Sequence, residues 1–136
     1  MVDRVTRFGV SLPSELMGRF DSAISKLGYS NRSKAIGDAV TDFISQKRVP
    51  DCGRIIGTVS YIYDHHISDV NRKLVELQHG FEKNIKSTMH SHITHHNCVE
   101  VLIVEGNAEE IQKLYGGLSA TRGVQNCKLA ILDKTL

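Results

Sequence analysis

The sequence predicts an α+β protein in which a small strand-helix-helix unit precedes a ferredoxin-like βαββαβ domain. Residues 7–12 alternate polar and apolar side chains, as a half-buried strand does, and two helical patterns follow. From residue 54 onward the patterns alternate in the order strand, helix, strand, strand, helix, strand. The 136 residues are 40% hydrophobic and 24% charged, which is typical of folded domains. We expect an N-terminal domain over residues 1–48, a linker over 49–53 and a second domain over 54–136.

The N-terminal strand is predicted to place Phe8, Val10 and Leu12 on one face. This unit offers no second strand, and a module of this size buries too little apolar surface to fold alone. A second copy of the chain would supply an antiparallel partner strand. We therefore expect an obligate dimer, with a two-stranded ribbon packed on four helices.

The two N-terminal helices are delimited by residues that favour helix ends. Pro13 and Ser14 begin the first helix, and Gly28 ends it. Ser30 or Asn31 caps the second helix, which ends before Pro50.

The outer face of the predicted ribbon indicates DNA binding, because an antiparallel ribbon fits the major groove. The N-terminal 50 residues carry eight basic and five acidic side chains, a net charge of +3. Residues on the outer face would read bases, and amides at the start of the second helix would hold a phosphate. A dimerisation arm with a solvated outer face is the alternative. The candidate DNA contacts are Arg7, Gly9, Ser11, Asn31, Arg32 and Ser33.

In the second domain, strands are predicted over residues 55–63, 85–94, 98–104 and 124–132. Helices are predicted over residues 67–77 and after a cap at Asn107. His90 and His92 lie two residues apart on one strand, so both imidazoles project from one face. Cys98 begins the next strand and can approach that face, which indicates a metal site. His79, at the end of the preceding helix, is the candidate for a fourth ligand.

The ligands alone do not determine the coordination geometry, and the coordination geometry determines which metal is favoured. Three imidazoles and a thiolate in one plane suit Ni(II) or Cu(II), whereas a tetrahedron suits zinc. Glu100, two residues beyond Cys98, is placed to orient an imidazole. His65 and His66 precede a helix and are interpreted as its caps, with a metal role as the less favoured alternative. His95 and His96 lie in the turn and are interpreted as solvated residues.

Composition also excludes several classes of protein. No run of about 20 apolar residues is present, and the first residues lack an apolar signal core, so we expect a cytoplasmic protein without a membrane partner. Three cysteines far apart argue against a disulfide framework. No nucleophile–base pair accompanies the histidines, and a filled four-ligand site leaves no position for a substrate, so we expect neither an enzyme nor a small-molecule substrate.

Together these motifs resemble the nickel-responsive regulator family, NikR, over essentially the whole chain. The ribbon-helix-helix junction is matched by residues 28–38. The family's ligand signature is matched in identity and spacing by Gln78-His79, Met89-His90-Ser91-His92-Ile93 and Asn97-Cys98-Val99-Glu100.

The resemblance implies a ribbon-helix-helix DNA-binding domain and an ACT-like domain that tetramerises as a dimer of dimers. It implies one Ni(II) per chain, held by His90, His92 and Cys98 with His79 from a neighbouring subunit. The implied function is nickel-dependent repression, with nickel uptake genes as targets and palindromic half-sites as the operator. A sensor of cobalt or copper is one alternative, and a metal storage or delivery protein without an operator is another.

Two positions depart from the family pattern. Gly9 stands where a hydroxyl residue is common on the outer face of the ribbon. Lys34 replaces an acidic residue of the inter-domain cation site, although Asp38 remains. We expect the ammonium of Lys34 to take the place of a bound potassium ion; a solvated lysine in a weak surface pair is the alternative.

Overall fold

The structure, a computed structural model, describes residues 4–50 and 53–133. It divides into two compact units, Met1–Ile44 and Ser45–Leu136. The elements in chain order are α1 (Ser14–Lys26), α2 (Arg32–Lys47), β1 (Arg54–Asp64), α3 (Val70–Gly80), β2 (Ile85–His92), β3 (Asn97–Asn107), α4 (Ala108–Ala120) and β4 (Val124–Asp133).

The two predicted N-terminal helices are present. Pro13 takes the N-cap position of α1, because the first turn tolerates its missing N–H. Asn31 caps α2, since its Oδ1 accepts the backbone N–H of Lys34 at 2.9 Å.

The strand predicted over residues 7–12 is not formed in the single chain. A strand requires hydrogen bonds to a neighbouring strand, and the described part of this unit contains none. The apolar side chains of this segment are uncovered, with Phe8 72% and Val10 66% exposed. The antiparallel ribbon between two copies therefore stays a prediction.

The second unit is a four-stranded antiparallel sheet in the order β2-β3-β1-β4. This order, with α3 and α4 as the connections, is that of a ferredoxin-like fold and is compatible with an ACT-like domain. Alternate residues of β1 and β3 are buried against the helices. The core includes Val59, Tyr61, Leu102 and Val104 from the strands and Leu74, Ile111, Leu114 and Leu118 from the helices.

Two local features differ from the sequence-based expectations. Helix α3 begins at Val70, three residues later than predicted, because Asp69 takes a left-handed conformation (φ 65°) at the N-cap. His65 and His66 therefore lie in the preceding turn and do not cap the helix. Val49, which falls in the predicted linker, is 6% exposed and belongs to the core of the second unit.

Within the described residues, no helix combines the length and apolar character needed to cross a membrane. Cys98 and Cys127 are free, buried thiols, whereas Cys52 lies outside the described residues.

Candidate metal centre

The register of β2 and β3 brings the candidate ligands together. His92 lies opposite Cys98, and His90 lies opposite Glu100. Side chains directly opposite in an antiparallel pair project to the same face. The four side chains therefore share the face on which the helices pack, at its β2 edge.

Cys98 is the centre of this group and is only 1% exposed. Its Sγ lies 3.1 Å from Nδ1 of His92 and 3.3 Å from Nδ1 of His65. These three donor atoms all lie within 4.8 Å of one another. For His65 a helix cap was favoured over a metal role, whereas the structure brings its imidazole to the thiol. The pairing of Tyr63 with Cys98 across β1 and β3 carries the end of β1 to this position.

The separations of the donor atoms fit a single transition-metal ion. Sulfur about 2.3 Å and nitrogen about 2.0–2.1 Å from one ion lie about 3.1 Å apart at a right angle and about 3.6 Å apart at the tetrahedral angle. The separations of 3.1 and 3.3 Å at Cys98 fall within this range, so the three donor atoms are close enough to bind one ion. They fit either geometry, and the choice between Ni(II) or Cu(II) and zinc stays open at this point.

His90 lies beside this group. Its ring centre is 5.2 Å from that of His92, and its Nδ1 lies 3.4 Å from the hydroxyl of Tyr63. The nearest oxygen of Glu100 is 3.9 Å from the same nitrogen, beyond hydrogen-bond distance.

Glu100 is a buried carboxylate whose oxygens are occupied by neighbouring donors. The hydroxyl of Tyr61 donates to Oε2 at 3.0 Å, and Nε2 of Gln78 donates to Oε1 at 3.1 Å. Burial raises the pKa of Tyr61 and Glu100 adds to this effect. Burial likewise raises the pKa of Tyr63 to about 12, with contributions from Glu100 and Cys98. Both tyrosines are therefore neutral donors at physiological pH.

His79 follows Gln78 on α3 but does not join the group within one chain. Its side chain is 81% exposed, and its nearest charged partner is Oε2 of Glu82 at 3.6 Å. An imidazole so exposed near the end of a helix is accessible to a second molecule.

The candidate DNA contacts lie in the N-terminal unit. Arg7, Gly9 and Ser11 are exposed. Arg32 pairs with Asp21 through two hydrogen bonds, from Nε at 2.8 Å and from Nη2 at 2.6 Å. The guanidinium of Arg32 lowers the pKa of Asp21, and the pair is exposed to solvent.

Lys34 and Asp38 form an exposed ion pair at the start of α2. Nζ of Lys34 donates to Oδ1 of Asp38 at 2.5 Å, and the hydroxyl of Tyr29 donates to Oδ2 at 2.6 Å. The Lys34 ammonium and the Tyr29 hydroxyl lower the pKa of Asp38. Both carboxylate oxygens of Asp38 therefore have a donor from the same unit.

Comparison with known proteins connects this geometry to a family. Residues 56–132 match the family model described as the NikR C-terminal nickel-binding domain. A putative nickel-responsive regulator of Caldanaerobacter subterraneus is 45% identical over 132 residues, covering 96% of this chain and 85% of that protein. One of Methanococcus maripaludis is 42% identical over 134 residues, covering 97% and 94%.

A solved structure of an uncharacterized protein from Thermotoga maritima has the same sheet architecture, with a TM-score of 0.54. It is 18% identical and covers 59% of this chain and 99% of that one, a likeness of fold alone. The family model and the sequence relatives are stronger evidence for the family than this likeness of fold. They show that the chain belongs to the nickel-responsive regulator family, whose members are regulators and not enzymes.

Proposed function

We propose that the chain is a nickel-dependent repressor that binds an operator through its N-terminal unit when Ni(II) occupies the second unit. The observation that carries this proposal is the pairing of His92 with Cys98 across β2 and β3, with donor atoms 3.1 Å apart, in a chain of the nickel-responsive family. Because the protein acts on DNA, we place it in the cytoplasm.

The proposed ligands are His90, His92 and Cys98 of one chain and His79 of a neighbouring subunit, one nickel ion per chain. The exposure of His79 supports this assignment, because a bridging ligand must be accessible to another molecule. A site of this kind would fix two subunits of a tetramer against each other. Nickel would then stabilise one arrangement of the assembly, which is how a ligand biases a conformational equilibrium.

The apolar surface of the N-terminal unit supports the proposed dimer. Phe8, Val10 and Leu12 line a groove together with Phe20 and Phe43 of the two helices. Several of these side chains are more than half exposed in the single chain. A second copy, paired through residues 7–12, would cover this groove and supply the missing strand.

In that dimer, Arg7 and Ser11 would project from the outer face of the ribbon towards the bases, with Gly9 between them. The amides of Arg32 and Ser33 at the start of α2 would hold a phosphate, and Asn31 fixes this turn as the cap. The side chain of Arg32 is engaged by Asp21. We therefore assign the phosphate contact to backbone amides and not to the Arg32 guanidinium.

Replacing Arg7 by Ala is expected to weaken operator binding by about 1–3 kcal/mol and to relax base preference at one position in each half-site. Competition binding with operator variants and random DNA measures both effects. Arg4→Ala removes the same charge from the same exposed segment and is the control. An equal loss on operator and random DNA would assign Arg7 to phosphate contact instead.

The contacts of Asp38 support the proposal that Lys34 replaces a bound cation. The ammonium lies where a cation would neutralise the carboxylate, and Tyr29 satisfies the second oxygen. Lys34 lies in the first turn of α2, where a positive charge is unfavourable, and Asp38 offsets that effect.

Operator binding by the unmodified protein is accordingly expected to be independent of potassium, whereas Lys34→Glu should create a potassium requirement. Glu at this position places two carboxylates one helical turn apart, and a cation relieves their repulsion. Operator affinity is measured in sodium and in potassium buffers of equal ionic strength, with Lys26→Glu as a control for charge reversal. Equal affinity of Lys34→Glu in both buffers contradicts the proposal.

The function as a whole is tested by operator binding at controlled concentrations of Ni(II), Co(II), Cu(II) and Zn(II), followed by footprinting on genomic DNA. The proposal predicts a protected palindrome that appears with nickel. Protection with cobalt or copper alone would identify a sensor of that ion. A storage or delivery protein would bind nickel and protect no site.

A further inference from the structure

A second group of potential ligands lies near the candidate nickel site and shares no residue with it. Asp64 ends β1, His66 lies in the turn before α3, and His96 lies in the hairpin between β2 and β3. One donor atom from each lies within 4.8 Å of the other two.

The backbone holds the two contributing loops together. Asp64 pairs with Asn97 at the end of the β1–β3 ladder, and the N–H of His65 donates to the carbonyl of His96 at 3.1 Å. The N–H of His66 donates to Oδ1 of Asp64 at 2.9 Å, which fixes the carboxylate beside its turn. The three side chains are therefore positioned by the sheet, although they are partly exposed.

The separations within this group are short enough for the donor atoms to bind one ion. Nδ1 of His66 lies 3.1 Å from Nδ1 of His96 and 3.5 Å from Oδ1 of Asp64. Nitrogen and oxygen ligands about 2.0–2.2 Å from a zinc ion lie about 3.4 Å apart at the tetrahedral angle and about 2.9 Å apart at a right angle. The observed values of 3.1 and 3.5 Å lie close to this range.

The chemistry of the donors also differs from that of the first group. Two imidazoles and one carboxylate offer no sulfur, and a set of two histidines and one acid is a recurrent zinc set. Three protein ligands leave a fourth position for water. The ring of His95, whose centre is 5.2 Å from that of His66, lies close enough to approach the same position.

We propose that Asp64, His66 and His96 form a second metal site, specific for a borderline divalent cation such as Zn(II), between the β1–α3 turn and the β2–β3 hairpin. The rings of His65 and His66 are 4.2 Å apart, so the two groups are adjacent but use different donors. Occupation of this site would link the two loops that carry His65 and His92.

The test uses the full chain loaded with one equivalent of Ni(II), whose sulfur-to-nickel absorption reports the thiolate site. Zn(II) is then added, and bound zinc is measured by equilibrium dialysis with elemental analysis. The expected result is one zinc per chain, with the nickel absorption unchanged and only nitrogen and oxygen neighbours in the zinc X-ray absorption spectrum.

Asp64→Asn, which keeps the acceptor for the His66 N–H, and His96→Gln are each expected to weaken zinc binding by more than about tenfold. Glu109→Gln removes an exposed carboxylate from α4 and should leave zinc binding unchanged. Unchanged zinc affinity in both site variants overturns the proposal. So does zinc uptake that removes the nickel absorption or shows a sulfur neighbour, because the ion is then at Cys98. If the nickel-loaded chain shows no sulfur-to-nickel absorption, the proposed nickel ligands are wrong. The zinc measured by dialysis still tests the second site in that case.

Discussion

Cys98→Ser is expected to abolish the sulfur-to-nickel charge-transfer absorption and to weaken nickel binding by more than about 100-fold. Loss of a residue that only supports a metal ligand typically weakens binding by up to about 100-fold, and loss of the ligand itself should cost more. The thiolate is the only sulfur ligand of the proposed site, and its Sγ contacts the nearest imidazole nitrogen at 3.1 Å. Absorption spectroscopy during nickel titration and competition with a chelator measure the two effects.

The matched control is Cys127→Ser, which changes another buried thiol, on β4. Because this thiol lies outside the donor group, the nickel absorption should persist. Alanine variants of His65 and His79 distinguish two ligand sets, namely the proposed set with His79 of a neighbouring subunit and a set in which His65 of the same chain takes that place. Loss of nickel affinity in His79→Ala but not in His65→Ala supports a site shared between subunits, whereas the reverse result assigns the site to one chain. Absorption that persists in Cys98→Ser refutes both sets.

Val10→Lys is expected to unfold the N-terminal unit and reduce operator affinity to the non-specific level, a loss of at least about 1,000-fold. In the proposed dimer, Val10 faces the helices, and an unpaired ammonium buried there costs several kcal/mol. In the single chain no residue of α1 is buried, so the packing of the two helices depends on the partner strand. Circular dichroism should show the loss of their helical signal while the second unit remains folded.

Ser11→Lys places the same charge on the next residue, which in a ribbon points to the opposite face. The helical signal should therefore be preserved in this control, whatever the change in DNA binding. If Val10→Lys retains both its helical signal and its operator affinity, residues 7–12 do not form the dimer ribbon.

The hydrophobic periodicity of the second unit was sufficient to predict its strands and helices, and their order predicted the sheet. The buried positions of β1 and β3 alternate, so the period-two signal is strong. The start of α3 was predicted less well, because the left-handed conformation of Asp69 is a local backbone choice that apolar spacing does not report.

For a related reason, a metal role for His65 and His66 was only the less favoured prediction, and the second ligand group as a whole was not predicted. Sequence spacing reports which residues share a face within one strand, but not which residue of another strand lies opposite. The register of β1 against β3 brings Asp64 to Asn97, and this pairing joins the loops of His66 and His96, which are 30 residues apart in the chain. The signal was nevertheless present, because His65-His66 and His95-His96 flank the adjoining ends of two strands that an antiparallel order places together.

The sheet order described above also determines how soon each part can form as the chain is synthesised. The β2–β3 hairpin is local, since His92 pairs with Cys98 only six residues later, and loops of this length close quickly. The pairing of β1 with β4 forms only after the end of the chain has been synthesised, because Tyr63 pairs with Val124 and Ile56 with Asp133. Such non-local pairing is slow. His92 and Cys98 are thus adjacent in the nascent chain before β4 leaves the ribosome. A metal ion that binds at this stage would bind before the core of the second unit has formed.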